Sequence, residues 1–269
     1  MKRPAYVLSV SLVLAAQPHV GWAQEDFRAA DLDRPIRVED AYPIKFREWE
    51  FEIGSRGTLE EGSRGLHGIL EVKTGVFRNT QFGIEVESAV RTLGSGADTG
   101  LESASAHLLY GIRRETVSLP AMAIRLEGAT PGTGAIGHED AQFGFKGIAT
   151  RSFGRLRLHG NGGYTVASRA DGGDFWRVGL GSDYPLGLFS RAVLADVYVE
   201  IPTSQARSRV WVEVGTRVQV SNWSVLDLGL STRLDEWDAG NANVELVVGF
   251  SRVFGIQGNV GPYPNPTIR

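Results

Sequence analysis

The stretch Asp140 to Val166, DAQFGFKGIATRSFGRLRLHGNGGYTV, alternates in character with a period of two through two runs that a short Gly-containing turn separates. Such alternation predicts a β-hairpin. From Leu156 onward one parity is mainly apolar, while the other carries Arg157, His159 and Asn161. One face of the hairpin is therefore apolar and the other polar, and the rest of the chain has to show which solvent the apolar face meets.

The composition and the N-terminus narrow the class of protein. Of 269 residues, 34 are Gly and none is Cys, which excludes disulfides, thiolate metal ligands, a cysteine nucleophile and an N-terminal lipid-modified cysteine. Lys2 and Arg3 precede an apolar core at residues 5–16, and small residues around Ala23 suit a cleavage site. Residues 1–23 are therefore predicted to be a secretory signal peptide.

The charge and the hydropathy pattern after Ala23 exclude two further classes. Removal of the two basic residues of the leader leaves 26 basic against 31 acidic residues, a net charge of about minus five. No nucleic-acid partner is expected, because that would require a basic patch. No apolar run approaches the roughly 20 residues of a membrane-spanning helix. A membrane protein with this sequence would be a β-barrel.

The chain after the leader divides into three parts. Residues 24–45 are polar and irregular, with Pro35 and Pro43, and are predicted to be a periplasmic N-terminal segment; the sequence leaves open whether this segment enters a lumen. Residues 46–254 hold about 12 alternating runs, the first from Arg47 to Gly54. Residues 255–269 form a C-terminal tail.

The connections between these runs alternate in length. Short turns such as 77–80 and 153–155 would lie at one rim, and longer loops such as 55–65 and 91–100 at the other. The fold class predicted is all-β, an antiparallel transmembrane up-and-down β-barrel of about 12 strands, located in the bacterial outer membrane. A soluble sandwich or lipocalin-like barrel would show the same alternation, but twelve large apolar faces would overfill its interior.

This assignment sets the expected partners. They are outer-membrane lipid and lipopolysaccharide, the barrel insertion machinery and a small-molecule solute. No cofactor and no metal ion are expected.

Three stretches carry a family resemblance. They are Arg34-Pro-Ile-Arg-Val-Glu-Asp-Ala-Tyr42 running into Phe51-Glu-Ile, Leu119-Pro-Ala-Met-Ala-Ile-Arg125, and Lys146-Gly-Ile-Ala-Thr-Arg151 followed by Leu158-His-Gly-Asn-Gly-Gly-Tyr164. In order and spacing they resemble the outer-membrane family named for the meta-pathway of phenol degradation, whose members are regarded as candidate transporters. The resemblance implies an outer-membrane barrel for uptake of hydrophobic or aromatic compounds, and it supplies no catalytic residues.

The C-terminus departs from the usual ending of outer-membrane barrels, which is an aromatic residue that the insertion machinery recognises. Phe254 fits that ending, whereas Arg252 stands where a second aromatic residue is common and the tail continues to Arg269. The tail puts the presentation of the insertion signal in question.

Charged residues and one histidine of the polar parity are the candidates for lining the lumen. They are Glu48, Glu50, Glu52, Glu71, Lys73, Glu85, Glu87, Arg125, Glu127, Lys146, Arg157, His159, Asp196, Glu200, Glu213, Arg217, Asp227, Arg233 and Glu245. They could form a permeation path whose charges tune what passes. Alternatively, paired ions could fill a narrow barrel and only stabilise it, since twelve strands lie between filled barrels and open porins.

Other candidate sites have less support in the sequence. Ser105 and His107 lie two residues apart with inward parity, as in outer-membrane acyl hydrolases, but no third residue to orient the histidine can be named. His67, His107 and His159 share inward parity without metal-ligand spacing. Aromatic residues are expected as anchors at the two membrane interfaces: Trp49, Tyr110, Tyr164, Trp176 and Tyr184.

The sequence thus predicts a non-enzymatic, passive outer-membrane channel for small, hydrophobic or aromatic molecules. The alternatives are a non-conducting structural or adhesion barrel and a lipid-modifying hydrolase that uses Ser105 and His107.

Overall fold

The computed structural model describes residue 30 and residues 34–60, 63–93, 96–137, 139–168, 173–187, 190–204, 207–235 and 244–255. The signal peptide predicted at residues 1–23 lies outside the described residues. So do residues 256–269 of the predicted tail and residues 24–29 and 31–33 of the N-terminal segment.

Twelve antiparallel strands form a closed barrel in which each strand pairs with its neighbours in sequence and the first pairs with the last. The strands are β1 (Glu48–Glu60), β2 (Ser63–Phe77), β3 (Thr80–Leu93), β4 (Gly96–Arg113), β5 (Ala121–Ala129), β6 (Gln142–Phe153), β7 (Leu156–Ala167), β8 (Phe175–Pro185), β9 (Arg191–Pro202), β10 (Arg209–Ser221), β11 (Ser224–Arg233) and β12 (Val244–Gly255). The predicted fold class is confirmed. The described residues contain no helix long and apolar enough to cross a membrane.

The hairpin of β6 and β7 shows why these residues form a barrel wall. In β7, His159 is 2% exposed and Arg157 5%, whereas the alternating Leu158 and Val166 are 43% and 44% exposed. Successive side chains of a strand point to opposite faces, so the polar set faces the interior and the apolar set faces outward. The two faces of this hairpin are oriented as the alternation predicts.

The strands are longer on the long-loop side than the sequence suggests. Residues 55–65 and 91–100 were predicted to be loops, but β1 continues to Glu60 and β3 to Leu93 before short connections. These residues include Gly57, which pairs with Leu66 through the backbone. The prediction of long loops there was wrong. It relied on apolar side chains, whereas two strands can pair through backbone hydrogen bonds alone. With 15 and 18 residues, β2 and β4 exceed the roughly 9–11 needed to cross a bilayer.

Aromatic side chains lie on the outer surface near both rims. Trp49, Tyr110 and Tyr184 are 40–46% exposed near the short turns. Near the other rim, the rings of Tyr164 and Trp176 pack with their centroids 4.7 Å apart. This distribution has the form of two aromatic girdles.

Part of the N-terminal segment lies inside the barrel. Arg34 and Ile36 are 1% exposed and Val38 is fully buried, although the described residues before Glu48 form no strand. We call residues 34–44 the inner segment. Many of the inward-facing side chains of the barrel wall contact this segment.

Candidate functional site in the barrel lumen

The inner segment enters the lumen at the rim of the short turns. Phe46 forms a parallel bridge with Gly75 near the end of β2, and the N–H of Arg47 donates to the Gly75 carbonyl at 2.9 Å. One step further in, the N–H of Ile44 donates to the side-chain oxygen of Gln81 at 3.0 Å. The chain leading to β1 is thereby fixed against β2 and β3.

Glu39 holds the inner segment to one side of the barrel. Its carboxylate accepts a hydrogen bond from Arg125 Nη1 at 3.1 Å and forms an ion pair with Lys146 Nζ at 2.7 Å. Its backbone is bonded twice to Asn161, whose amide accepts the Glu39 N–H at 3.0 Å and donates to the Glu39 carbonyl at 2.8 Å. Three neighbouring strands, β5 to β7, therefore bind one residue.

Arg37 holds the segment to the opposite side. Its guanidinium forms an ion pair with Glu213, donates to Glu245 at 2.8 Å and to Ser231 at 3.2 Å. It also lies over the ring of Trp211, 4.7 Å from the centroid. Charge-assisted bonds of this kind are about twice as strong as neutral ones, so β10 to β12 bind the segment tightly.

Arg34 binds a third part of the wall. It forms an ion pair with Glu52 and donates to Ser251 Oγ at 3.4 Å. Its carbonyl accepts Arg217 Nη2 at 3.4 Å, and Arg217 is itself paired with Asp227 at 2.6 Å. A buried charge without a partner is strongly destabilising. Removal of Arg34 would therefore leave the buried carboxylate of Glu52 without this cation.

Two apolar patches on the inner wall pack against the segment. The first surrounds Ile36 and Val38 and is completed by Ala30, Ala192, Leu194, Tyr198 and Trp211. The second surrounds Ala41 and Tyr42 and is completed by Leu109, Ala121, Ala123 and Ile148. The sequence prediction emphasised charged residues of the lumen and missed most of these. Parity could have found them, since Leu194 shares the face of Asp196.

Inward-facing glycines provide the room for this packing. A Cβ on Gly229 would lie 2.4 Å from the carbonyl oxygen of Pro35, and one on Gly215 would lie 2.6 Å from Pro35 Cβ. A Cβ on Gly181 would lie 3.0 Å from that of Val38. A larger residue at Gly229 would force the backbone of the segment to shift, whereas one at Gly181 would meet only the side chain of Val38 within the segment.

The inner segment contacts all twelve strands of the barrel. It therefore spans the lumen at its level. The question that the sequence left open, whether this segment enters the lumen, is answered for the described residues.

The structure places the lumen-lining candidates on the inner face in two groups. Thirteen are buried: Glu50, Glu52, Glu71, Lys73, Arg125, Lys146, Arg157, His159, Asp196, Glu213, Arg217, Asp227 and Glu245. Six are half-buried: Glu48, Glu85, Glu87, Glu127, Glu200 and Arg233. Some pair along the wall, as Lys73 does with Glu50 at 3.2 Å, whereas others bind the inner segment.

The histidines and Ser105 do not form a site together. His67 contacts Glu102 at 2.8 Å, His107 contacts Gln81 at 3.2 Å, and His159 contacts Asp183 at 3.0 Å. Across the ranges given above, no three His, Asp or Glu side chains are placed to hold a metal ion. A hydrogen bond between Ser105 and His107 is not among those of the described residues. The geometry thus gives the hydrolase alternative no support.

Tyr42 ties the inner segment to the short-turn rim. Its hydroxyl donates to Glu115 at 3.3 Å, and Glu115 also accepts the N–H and hydroxyl of Ser152 at 2.7 and 2.8 Å. Burial and the neighbouring Glu115 carboxylate raise the pKa of Tyr42 to about 12. Burial alone would raise the pKa of Glu115, but the hydrogen bonds from Ser152 and Tyr42 lower it below its ordinary value.

A cavity of about 280 Å³ lies at the long-loop end of the lumen. It is lined by Arg56, Thr58, His67, Ile69, Glu87, Arg91, Glu102, Arg209, Trp211, Arg233 and Glu245. Two partners of Arg37, Glu245 and Trp211, are among these residues, so the cavity and the inner segment adjoin.

A closed antiparallel barrel with an even strand number, a polar interior and an apolar outer face is the architecture of outer-membrane barrels. Comparisons with solved structures agree. An outer-membrane channel from Pseudomonas putida F1 is similar with a TM-score of 0.63 at 11% identity, covering 80% of this chain and 98% of that one. The NanC porin matches with a TM-score of 0.54 at 11% identity, over 74% and 98% of the two chains.

The KdgM porin is also similar, with a TM-score of 0.51 at 11% identity over 76% of this chain and 99% of that one. At such identities the likeness shows the fold alone. No family model matches the chain, and no curated protein matches it. Membership of the phenol meta-pathway family therefore stays a prediction.

Proposed function

We propose that the protein is an outer-membrane channel for small, hydrophobic or aromatic molecules, and that the inner segment closes it. The similar solved structures include porins and channels of the outer membrane, which supports the general role. The apolar outer face and the two aromatic girdles support a location in a bilayer. Export by the signal peptide, contact with lipopolysaccharide and insertion by the barrel machinery belong to the same proposal.

The observation that carries this proposal is how the inner segment is held. The hydrogen bonds and ion pairs described above join the segment to side chains of the wall and not to the wall backbone, as in the contacts of Glu39 with Arg125 and Lys146. The ladder that closes the barrel between β1 and β12 is independent of them. The segment can therefore leave the lumen while the barrel stays closed, which is what a gate requires.

The apolar patches support the proposed solute class. Leu194 and Tyr198 on one side, and Leu109 and Ile148 on the other, are covered by the inner segment in this state. When the segment moves, both patches would line the path beside charged residues. A molecule with an apolar body could then contact them in sequence, whereas a lumen of charges alone would disfavour it.

One observation favours the structural alternative. Buried ion pairs between the segment and the wall, such as that of Arg34 with Glu52, are also what a permanently filled barrel would contain. A filled barrel would remain non-conducting even when the contacts of the segment are weakened. The two functions therefore differ in a measurable way.

The deciding experiment replaces residues 34–42 with a Gly/Ser stretch of equal length and compares that variant with the unaltered protein in liposomes. Uptake of a small aromatic solute and of a polar sugar of similar size would be measured, with folding checked by circular dichroism. We expect the replacement to raise uptake at least tenfold, more for the aromatic solute. A folded variant that passes neither solute would contradict the channel function.

A further inference from the structure

The cavity at the long-loop end has chemistry that the channel proposal does not use. We infer that it binds a small carboxylate with an apolar body, as the entry site for the transported solute. This inference rests on the proposed function, because it names the solute class of that channel. It is carried by an unpartnered donor, two weakly engaged guanidinium groups and apolar side chains that line one cavity.

Trp211 provides the first argument. Its side chain lines the cavity and is only 7% exposed. Its indole N–H is buried and has no hydrogen-bond partner among the described residues. Leaving a buried donor unpaired is destabilising, because the donor has lost its bond to water and gained none in return. A site that retains such a donor is suited to a ligand that brings an acceptor.

The charges around the cavity favour an anionic acceptor. Four arginines contribute to its lining, against three glutamates. Glu245 already binds Arg37 at 2.8 Å, and Glu102 binds His67 at 2.8 Å. Glu245 is thus engaged by a cation of the inner segment. Among the arginines, Arg56 lies 3.7 Å from Glu245 and Arg233 pairs with Asp235 at 2.7 Å. This leaves Arg91 and Arg209 as the weakly engaged cations of the lining.

Arg91 and Arg209 are the arginines best placed to receive a ligand. Arg209 has a side chain that is 57% exposed and lies 3.6 Å from Glu200, which makes this a weak surface pair. Arg91 is exposed and forms no ion pair with any described residue. Guanidinium groups present planar pairs of donors that match a carboxylate, so these two can bind an incoming anion without breaking a buried pair.

The size and the walls restrict the rest of the ligand. Small-molecule pockets usually measure about 300–1,000 Å³, so a cavity of about 280 Å³ admits only a small molecule. Its apolar residues are Ile69, which is 4% exposed, and Trp211, over whose ring Arg37 and Arg233 lie. A single ring or a short alkyl chain with one carboxylate fits both requirements.

Calorimetric titration of the full-length protein in detergent tests this inference. Benzoate serves as the probe, benzamide as the neutral molecule of the same shape, and benzylamine as the cation. We expect benzoate to bind at least tenfold more tightly than either of the others. Equal binding of benzoate and benzamide would show that the negative charge plays no role. Tighter binding of benzylamine would show that the site prefers a cation, and either result would overturn the inference.

Variants locate the site. Trp211→Phe keeps the ring and removes the N–H donor, and Arg91→Gln with Arg209→Gln removes two cations. Each is expected to weaken benzoate binding about tenfold, a change equivalent to about 1.4 kcal/mol. Arg64→Gln is the matched control. Arg64 is exposed on β2, next to the residue that pairs with Arg91, but does not line the cavity. Unchanged binding in both test variants would overturn the site.

The experiment also separates this inference from the proposed channel. Binding is measured without transport, so benzoate binding in a protein whose opened variant passes no solute would retain the site and remove the channel. If the variant with the Gly/Ser stretch passes solute but the protein binds no benzoate, the channel would be retained and the binding site removed.

Discussion

Ala30 and Asp40 are joined by two hydrogen bonds inside the barrel. The Ala30 N–H donates to the Asp40 carboxylate at 3.2 Å, and the Asp40 N–H donates to the Ala30 carbonyl at 3.0 Å. The same carboxylate accepts the N–H of Tyr42 at 3.0 Å. The Asp40 side chain therefore fixes the path of the chain on both sides of itself.

Replacing Asp40 should loosen the inner segment. In Asp40→Ala the buried N–H of Ala30 and the half-buried N–H of Tyr42 lose their acceptor, at about 1–3 kcal/mol for the buried one. Since the protein has no cysteine, Ala41→Cys provides a single reporter at a position that is 2% exposed. We expect maleimide labelling of this reporter to become at least tenfold faster. Asp98→Ala, on the exposed part of β4, is the control, and equal rates in the two variants would contradict the prediction.

Filling the space beside Pro35 should displace the segment from the wall. Gly229→Val places carbon atoms where the Pro35 carbonyl lies, since even a Cβ would be 2.4 Å from its oxygen. We expect an increase in single-channel current in planar bilayers. Gly162→Val is the control, because a Cβ there meets nothing within 4 Å. The prediction is wrong if Gly229→Val folds and its current equals that of the control.

A cross-link between Val38 and Gly181 should hold the channel closed. Their Cβ atoms would be 3.0 Å apart, slightly less than the usual spacing of about 3.8 Å in disulfides, so a small shift of the segment suffices. In Val38→Cys with Gly181→Cys, oxidation should abolish current and a reductant should restore it. The current through the single variant Val38→Cys should not change on addition of the oxidant or the reductant. Current that persists through a cross-linked protein would show that permeation bypasses the segment.

Acid should release the segment at the short-turn rim. The pKa of Glu115 is lowered in the folded protein. Its stabilising contribution is therefore complete above the ordinary carboxyl pKa of 4.5 and is lost as the pH falls through the lowered value. Because maleimide reacts with the thiolate, the labelling rate of the Ala41→Cys reporter is divided by that of a free thiol at the same pH, and we expect this ratio to rise below pH 4.5. In Glu115→Gln the Ala41→Cys reporter should be labelled faster at neutral pH, and the rise in acid should disappear. If the rise in acid is unchanged in this variant, a group other than Glu115 causes it.

The barrel itself was predictable because a strand with one apolar face leaves a period of two in the sequence. Phe51, Leu158 and Val248 each mark the outward face of their strands, and the structure agrees. The ends of the strands were less predictable. Gly57 and Gly65 resemble loop residues in composition but pair with their neighbours through the backbone alone.

The inner segment could not be predicted from periodicity, because residues 34–44 follow no regular ladder. The charge count does not reveal it either. The lumen-lining candidates comprise twelve acidic and six basic residues, but the segment brings Glu39 and Asp40 into the lumen together with Arg34 and Arg37 and so leaves this surplus unchanged. The individual pairs, such as Arg37 with Glu245, depend on the three-dimensional path of the segment and leave no periodic signal in the sequence.

The partners of the inner segment also have a consequence for biogenesis. Arg37 binds Glu245 across 208 positions of sequence, and Arg34 binds Ser251 across 217. The segment is synthesised before β1, yet its binding site is incomplete until β12 exists. The β1–β12 ladder that closes the barrel joins positions about as far apart, such as Glu48 and Gly255. Docking of the first residues therefore cannot be completed before the last strand has folded.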